Sequence, residues 1–316
     1  MLSVCRREQH QFKLMKLYYF RDAAGNFGDD LNPWMWPQLI PELGQRIDDP
    51  DWLVGIGTLL NHRLPKTGQL HVMGSGVGYG EPMRMGEGVH FHAVRGHKSA
   101  AALGLGAEAV ITDAAVLLRA MNVPQSRLTR ERVGVMFTGR SLHNYDWESV
   151  CGRLGYGFIS CHWSVERVLD EIQRCDLLLT EAMHGAIVAD TLRVPWVAIT
   201  CSEGVLGFKW EDWLSTLGLP YEPTAVTPLY HLGRHLDLRG QLKQRGRQLL
   251  GGLGLIAYEG RLPSHSSQTT VNEACSQLRK AAARPGMLSN ERLLDHHIQR
   301  FQLRVEALRA TLHSRS

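Results

Sequence analysis

The chain reads as an α/β protein with two parallel-sheet halves of Rossmann-like build and a helical C-terminal region. Three observations carry that reading. Short apolar runs alternate with helical stretches, the order that covers a parallel sheet on both faces. The alternation breaks once, at Asn122–Arg132, where Pro124 and mixed charges interrupt it, and then restarts. Beyond about residue 232 the apolar runs give way to basic, polar and amphipathic segments. The expected division is 16–125, 130–232 and 233–316.

In the first half the apolar runs Lys16–Phe20, Trp52–Ile56, Leu70–Met73, Val89–Val94 and Val110–Thr112 are candidate strands. Helices fit between them at Asp30–Ile40 and Gly96–Leu103. The second half opens at Val133–Phe137 and continues through Trp147–Leu154, Tyr156–Cys161, Val165–Cys175 and Leu177–Thr180. A helix then starts at Met183, with Ile187, Val188 and Leu192 on one side and Pro195 ending it, before the run Val194–Thr200. In the last region Ser264–Thr270 reads as a linker and Arg284-Pro285-Gly286 as a helix stop. Along Asn290–Leu312, Leu294, Ile298, Phe301, Val305 and Leu308 recur at alternating spacings of four and three, an amphipathic stripe. Such a stripe packs on the protein's own body, seams a dimer or lies on a membrane.

Composition excludes several classes. With 44% hydrophobic and 21% charged residues among 316, a sizeable core is expected and global disorder is not. A net charge of +4 is too small to argue for nucleic acid. Cys5, Cys151, Cys161, Cys175, Cys201 and Cys275 are scattered without a C-x-x-C pair, so neither a zinc site nor a disulfide scaffold is indicated. Reduced thiols point to the cytoplasm. No apolar run reaches 18 residues, and Met1–Met15 lacks a secretory apolar core, so the first domain is expected to start near Met15.

The segment with most chemical content is Thr180–Asp190. His184 falls in the first helical turn just past the carboxyl end of a strand, where open α/β sheets bind ligands. Glu181 lies three residues earlier. A His at a helix N-terminus, where free N–H groups attract anions, suits acid/base work beside a phosphate or carboxylate. Gly25–Asn32 occupies the corresponding turn of the first half. Its Asn26, Gly28, Asp29 and Asn32 combine a tight turn, a helix cap and a second acid/base candidate in Asp29. The Gly-rich stretch Gly74-Ser75-Gly76 follows a strand and is a candidate ligand loop. Its spacing matches neither the dinucleotide fingerprint nor the P-loop. Arg95 and Arg140 each stand where a strand should end, one per half, and two guanidinium groups suit a small dianion. Lys209 is a further candidate cation.

Taken together these segments resemble the polysaccharide pyruvyl transferase family, most closely its branch that modifies bacterial exopolysaccharides. The matching elements are Asn26-Phe-Gly-Asp-Asp-Leu31, Gly74-Ser-Gly-Val77, Val94-Arg-Gly-His-Lys-Ser99, Thr112-Asp-Ala-Ala115, and His184-Gly-Ala-Ile with Val194-Pro-Trp-Val. They span roughly residues 16–220. Many members carry Arg-Leu before that His, where this chain has Ala182-Met183.

The resemblance implies a fold similar to glycosyltransferase type B, with the donor bound in the cleft between the halves. It implies phosphoenolpyruvate as donor substrate, without cofactor or metal, and a hexose of a lipid-linked oligosaccharide as acceptor. The product is then a pyruvate ketal. His184 and Asp29 would be catalytic. Arg95, Arg140, Lys209 and Glu181 would serve the donor, and Asn26, Gly28, Asn32, Gly74, Ser75 and Gly76 the acceptor or its loop. Two alternatives share the architecture: a sugar-nucleotide glycosyltransferase, and an inactive sugar-binding paralogue. A lipid-linked acceptor places the protein at the inner face of the membrane, where Arg234, Arg239, Lys243, Arg245 and Arg247 would meet anionic headgroups. The sequence assigns neither the acceptor hexose nor the oligomeric state.

Overall fold

The computed structural model describes residues 15–44, 51–81, 83, 86–123, 132–202, 204–231 and 265–314. The basic run from Arg234 to Arg247, the leading residues before Met15 and most of the expected boundary at 122–132 lie outside the described residues.

Four strands form the first sheet: β1 (Lys16–Tyr18), β2 (Trp52–Val54), β3 (Leu70–Ser75) and β4 (Val89–Val94). They are all parallel and lie in chain order. Five parallel strands form the second: β5 (Arg132–Met136), β6 (Gly157–Ile159), β7 (Cys175–Thr180), β8 (Trp196–Thr200) and the short β9 (Thr224–Ala225). Their order is β6-β5-β7-β8-β9. The chain leaves β5 toward one edge and returns to place β7 on its other side, which opens a crevice at the carboxyl ends of β5 and β7. The expected strand Val110–Thr112 does not form. Val110 makes one isolated bridge to Val94, and the chain turns at once into the 3-10 helix Ala114–Ala120. Asp113 caps that helix through Oδ1, which accepts from Ala115 N at 3.0 Å.

Helix α1 (Phe27–Leu39) shows how the first turn is built. Asn26 is its N-cap, its side chain accepting from Gly28 N. Pro33 lies inside the helix and supplies no N–H to the carbonyl of Asp29 four residues back. The Asn32 side-chain amide donates to that carbonyl at 3.0 Å instead. The same side chain accepts from Ile56 N at 2.7 Å and donates to Ile56 O at 3.0 Å, so it ties α1 to the turn after β2.

In the second half α3 (Gly139–Asn144), α4 (Trp147–Leu154), α5 (Val165–Gln173), α6 (Met183–Thr191) and α7 (Gly207–Leu214) surround the sheet. Helix α2 (His97–Ala102) of the first half packs against α7. One apolar core runs through both halves, from Phe27, Leu31 and Trp36 of α1 through Val116 and Leu118 to Ile187 of α6 and Trp210 of α7. The two sheets are therefore joined by packed hydrophobic surface rather than a wet hinge.

Two helices close the chain, α8 (Gln268–Ala282) on the second half and α9 (Glu291–Ser314) on the first. Leu294, Ile298, Phe301, Val305 and Leu308 of α9 are all buried. That stripe faces the protein's own core, so it is not available to a membrane or a second copy. Arg309 grips Glu42 through two nitrogens, and Arg119 pairs with Glu291 and Asp295. Among the described residues no helix is long and apolar enough to cross a membrane.

Candidate active site

A cleft of about 850 Å³ opens between the halves. From the first half it is walled by the segment after β1 (Tyr19–Asp22), by Asn26, Gly28 and Asp29, by Gly57–Leu59 with Asn61 and Arg63, and by Tyr79. From the second half come Thr138–Arg140, Ala182–His184 and Lys209. The second-half contribution lies at the β5/β7 crevice, which the strand order places there.

His184 is the central side chain. It stands in the first turn of α6, with its side chain only 16% exposed. Nε2 faces Asp113 Oδ2 at 3.6 Å. Both atoms are buried, and neither has a hydrogen-bond partner among the described residues. The Asp113 carboxylate is completely buried, and a small approach of the ring would let Nε2–H donate to it. The opposite ring nitrogen, Nδ1, lies over the start of α1. A Cβ added at Gly28 would come within 2.1 Å of it, so any side chain there would collide with the imidazole. Gly28 is thus required by the close approach of His184.

Asp29 lies on the first-half wall. Its Oδ2 accepts from Asn26 Nδ2 at 2.7 Å. Burial pushes its pKa up to about 6, and Asp30 and Asp22 add to that. His184 and Lys209 pull the other way. Asp29, His184 and Lys209 all line the same cleft. A carboxyl poised near neutrality is suited to taking a proton from a hydroxyl.

Arg140 extends from α3 into the cleft, exposed, and its guanidinium forms no ion pair among the described residues. Its Nη1 passes so close to Gly204 that a Cβ there would sit 2.2 Å away. Lys209 reaches in from α7, donating to Tyr79 Oη at 2.7 Å. Arg21 and Arg63 add two more cations to the lining, against the carboxylates Asp22 and Asp29. The excess of positive charge suits an anionic ligand. Cys161 also borders the cleft, but burial pushes its thiol up to about 12, which removes it as a nucleophile at neutral pH.

Other expected site residues are placed in the interior. Arg95 does not reach the cleft: it is fully buried, its Nε 2.9 Å from Asp212 Oδ2 of α7. Its remaining donors go to Thr58 Oγ1 and to the carbonyls of Gly57 and Val77. The stretch Arg95–Ser99 locks onto α7. Ser99 donates to Asp212 through both N and Oγ, and Lys98 pairs with Glu211. Gly74, Ser75 and Gly76 are packed rather than open. Gly74 (φ +91°) lies against Ala114, Gly76 lies against the Arg95 guanidinium, and Ser75 Oγ bonds Gly57 O and Leu59 N. Glu181 is buried, accepting from Thr138 N, Thr138 Oγ1 and Cys201 N, so it shapes the β5–α3 turn from behind. Asn32 staples α1 as described.

Asp113 is not singled out by the sequence, although it lies in the Thr112-Asp-Ala-Ala115 element. Nothing local announces its partner, because α6 lies far along the chain. Arg21 had a usable signal, since it directly follows the first strand. Arg63 and Tyr79 had none.

Among the described residues no group of three or more His, Cys, Asp or Glu side chains is arranged to hold a metal ion. Two Rossmann-like halves with parallel sheets face a charged cleft, and C-terminal helices pack on both. The pattern described as polysaccharide pyruvyl transferase matches residues 87–203. The succinoglycan biosynthesis protein ExoV of Rhizobium meliloti (strain 1021) is 32% identical over 315 residues, covering 93% of this chain and 99% of that one. The chain belongs to the polysaccharide pyruvyl transferase family, and its relative acts in exopolysaccharide biosynthesis.

Proposed function

We propose that the protein transfers the enolpyruvyl group of phosphoenolpyruvate to a hexose of a lipid-linked exopolysaccharide repeat unit, forming a pyruvate ketal and releasing phosphate. The observation that supports this most directly is one cleft lined by His184, which Asp113 backs, by Asp29 and by the cationic Arg140 and Lys209. In this reading Arg140 and Lys209 hold the carboxylate and phosphate of the donor. Arg140 takes the place of the Arg that many family members carry before the His, where Ala182 and Met183 border the cleft here. The interior position of Arg95 makes it a structural residue instead.

The chemistry balances on these groups. His184, as the imidazolium with its Nε2–H toward Asp113, gives the Nδ1 proton to the donor methylene, which leaves a cation at C2 and the ring neutral. A sugar hydroxyl attacks C2 and loses its proton to Asp29. The C2–O bond to phosphate breaks with its electron pair, a second hydroxyl attacks, and the ketal closes. Of the two hydroxyl protons, the net reaction leaves one on the new methyl group and one on phosphate. Asp113 is a positioning residue: its carboxylate faces Nε2 and so turns Nδ1 toward the reaction.

Purified protein supplied with phosphoenolpyruvate and a saccharide acceptor should release phosphate only when both are present. Sugar nucleotides in place of phosphoenolpyruvate should give no product. His184→Ala should lose about 10²–10⁴-fold in turnover, the usual weight of an acid/base group, with donor affinity and melting temperature retained. Near-normal turnover in that variant, or phosphate release that ignores the acceptor, would overturn the reading. A lipid-linked acceptor also implies work at a membrane surface, with the basic residues between Arg234 and Arg247 as the contact. Liposome flotation with anionic lipid at low salt, repeated after neutralising those five residues, measures it.

A further inference from the structure

Four large hydrophobic side chains are conspicuously exposed among the described residues: Phe20, Tyr79, Phe208 and Leu303. Two of them, Phe20 at 52% and Tyr79 at 48%, border the cleft, and both come from the first half. Ligand sites combine aromatic surface with a few placed polar groups, and these two rings stand beside such groups. Tyr79 is also held in place. Lys209 Nζ lies 4.6 Å from its ring centroid and bonds its hydroxyl. The backbone beneath it is held as well, since Gly78 (φ +154°) packs against the Lys209 and Thr58 side chains. A flat ring fixed this way offers contact area with little rotamer entropy left to lose.

The position of that ring narrows the ligand. Gly57, next to Thr58, lies against Asp29 Oδ1, so the wall that carries Tyr79 continues directly to Asp29. A flat pyranose has C–H groups on its face and hydroxyls around its rim. Stacked on an aromatic ring, it buries the face and leaves the rim free to reach polar groups. Asn61, Lys209 and Asp29 surround this part of the cleft. We infer that Tyr79, with Phe20, forms the stacking platform for the acceptor hexose and presents its hydroxyls to Asp29. This rests on the acceptor being a saccharide, as proposed above. It moves the acceptor subsite from the Gly74–Gly76 turn, which is packed inside, to the aromatic rim.

The test uses the full chain and short gluco- and galacto-oligosaccharides as probes. Saccharide binding is read by saturation-transfer NMR without donor, and acceptor KM is read with phosphoenolpyruvate. Both truncated side chains are exposed, so melting temperatures should stay put in Tyr79→Ala and Phe20→Ala. Tyr79→Ala should weaken saccharide binding about tenfold, in line with one good aromatic contact, and Phe20→Ala by a smaller factor. Tyr79→Phe removes the hydroxyl and its Lys209 contact but keeps the ring. It should bind saccharide like the parent, while any change in donor affinity should match that of Tyr79→Ala. Unchanged saccharide binding in Tyr79→Ala, or equal loss in Tyr79→Phe, overturns the platform, as does a parent protein that binds neither probe. A parent that binds saccharide but releases no phosphate from phosphoenolpyruvate would remove the ketal reaction and leave the platform standing.

Discussion

Two arginines occupy equivalent places in the two halves. Arg95 follows β4 and Arg140 follows β5, each just past the carboxyl end of a strand. Their surroundings are opposite. Arg95 is fully buried, paired with the equally buried Asp212, and its other donors are taken up by Thr58 and two carbonyls. Arg140 is exposed at the cleft, with no ion pair among the described residues. The difference teaches that a strand-end Arg serves the interior where a carboxylate folds against it and can face the cleft where none does. In the first half α7 brings Asp212 across and uses the guanidinium to join the halves. Arg140, beside the β5/β7 crevice, pairs with no such carboxylate among the described residues.

The largest expected effect comes from breaking the Arg95 side of that contrast. Asp212→Ala leaves a guanidinium buried without its counter-charge and should cost about 3–5 kcal/mol of stability, seen as a large fall in melting temperature. The part that stays folded should bind phosphoenolpyruvate with parental affinity. A variant that kept its stability and lost the donor instead would make Arg95 a ligand residue and erase the distinction.

Asp29 extends the comparison from a fully buried carboxylate with an ionic partner to a half-buried one held by the Asn26 amide. Burial favours its protonated form, with the folded pKa near 6 against an ordinary value of 3.8. In the folded protein its ionisation therefore costs stability, not at all below the ordinary value and fully above about pH 6. Asp29→Asn should stabilise the fold at pH 8 by no more than about 3 kcal/mol, less whatever solvent at the cleft screens. That gain should fade as pH falls from 6 toward 4, and denaturant midpoints across this range would show it. Turnover should run in the opposite sense. The parent should lose activity as pH drops through about 6, and a rate flat from pH 5 to 8 would remove Asp29 as the base.

A smaller effect is expected at Arg140. Arg140→Lys keeps the charge and loses the two-pronged contact, so donor affinity should fall about tenfold with melting temperature unchanged. Titration calorimetry with phosphoenolpyruvate measures it. Equal affinity in parent and variant would shift the anion site toward Lys209, Arg21 or Arg63.

Asp113→Asn tests the dyad with the subtlest readout. Measured at a pH where the His184 ring is neutral, its ¹⁵N shifts should change from one tautomer, with the proton on Nε2, to a mixture, and turnover should fall with donor affinity intact. A merely structural Asp113 would lower the melting temperature without altering the tautomer.

Much of the architecture was legible because it is written locally. Alternating apolar runs mark strands and helices, Asn26 caps α1, and the placement of His184 in the first turn of α6 follows from the run before it and Pro195 after it. The five-residue stripe of α9 was legible as a stripe for the same reason, since helical period is a property of neighbours in sequence. What that stripe faces was not. Only the packed structure shows that it closes the core over the first half. The same limit applies to the site. Short motifs around Asp29, Arg95, Asp113 and His184 could be recognised one by one, yet whether each side chain turns into the cleft or away from it depends on partners far along the chain. Arg95 and Asp212 are 117 residues apart. Local sequence determines which residues stand at strand ends and helix starts. Tertiary structure decides which of them are neutralised by the protein itself and which are left for a ligand, because burial and counter-charge are set by the elements that fold against them.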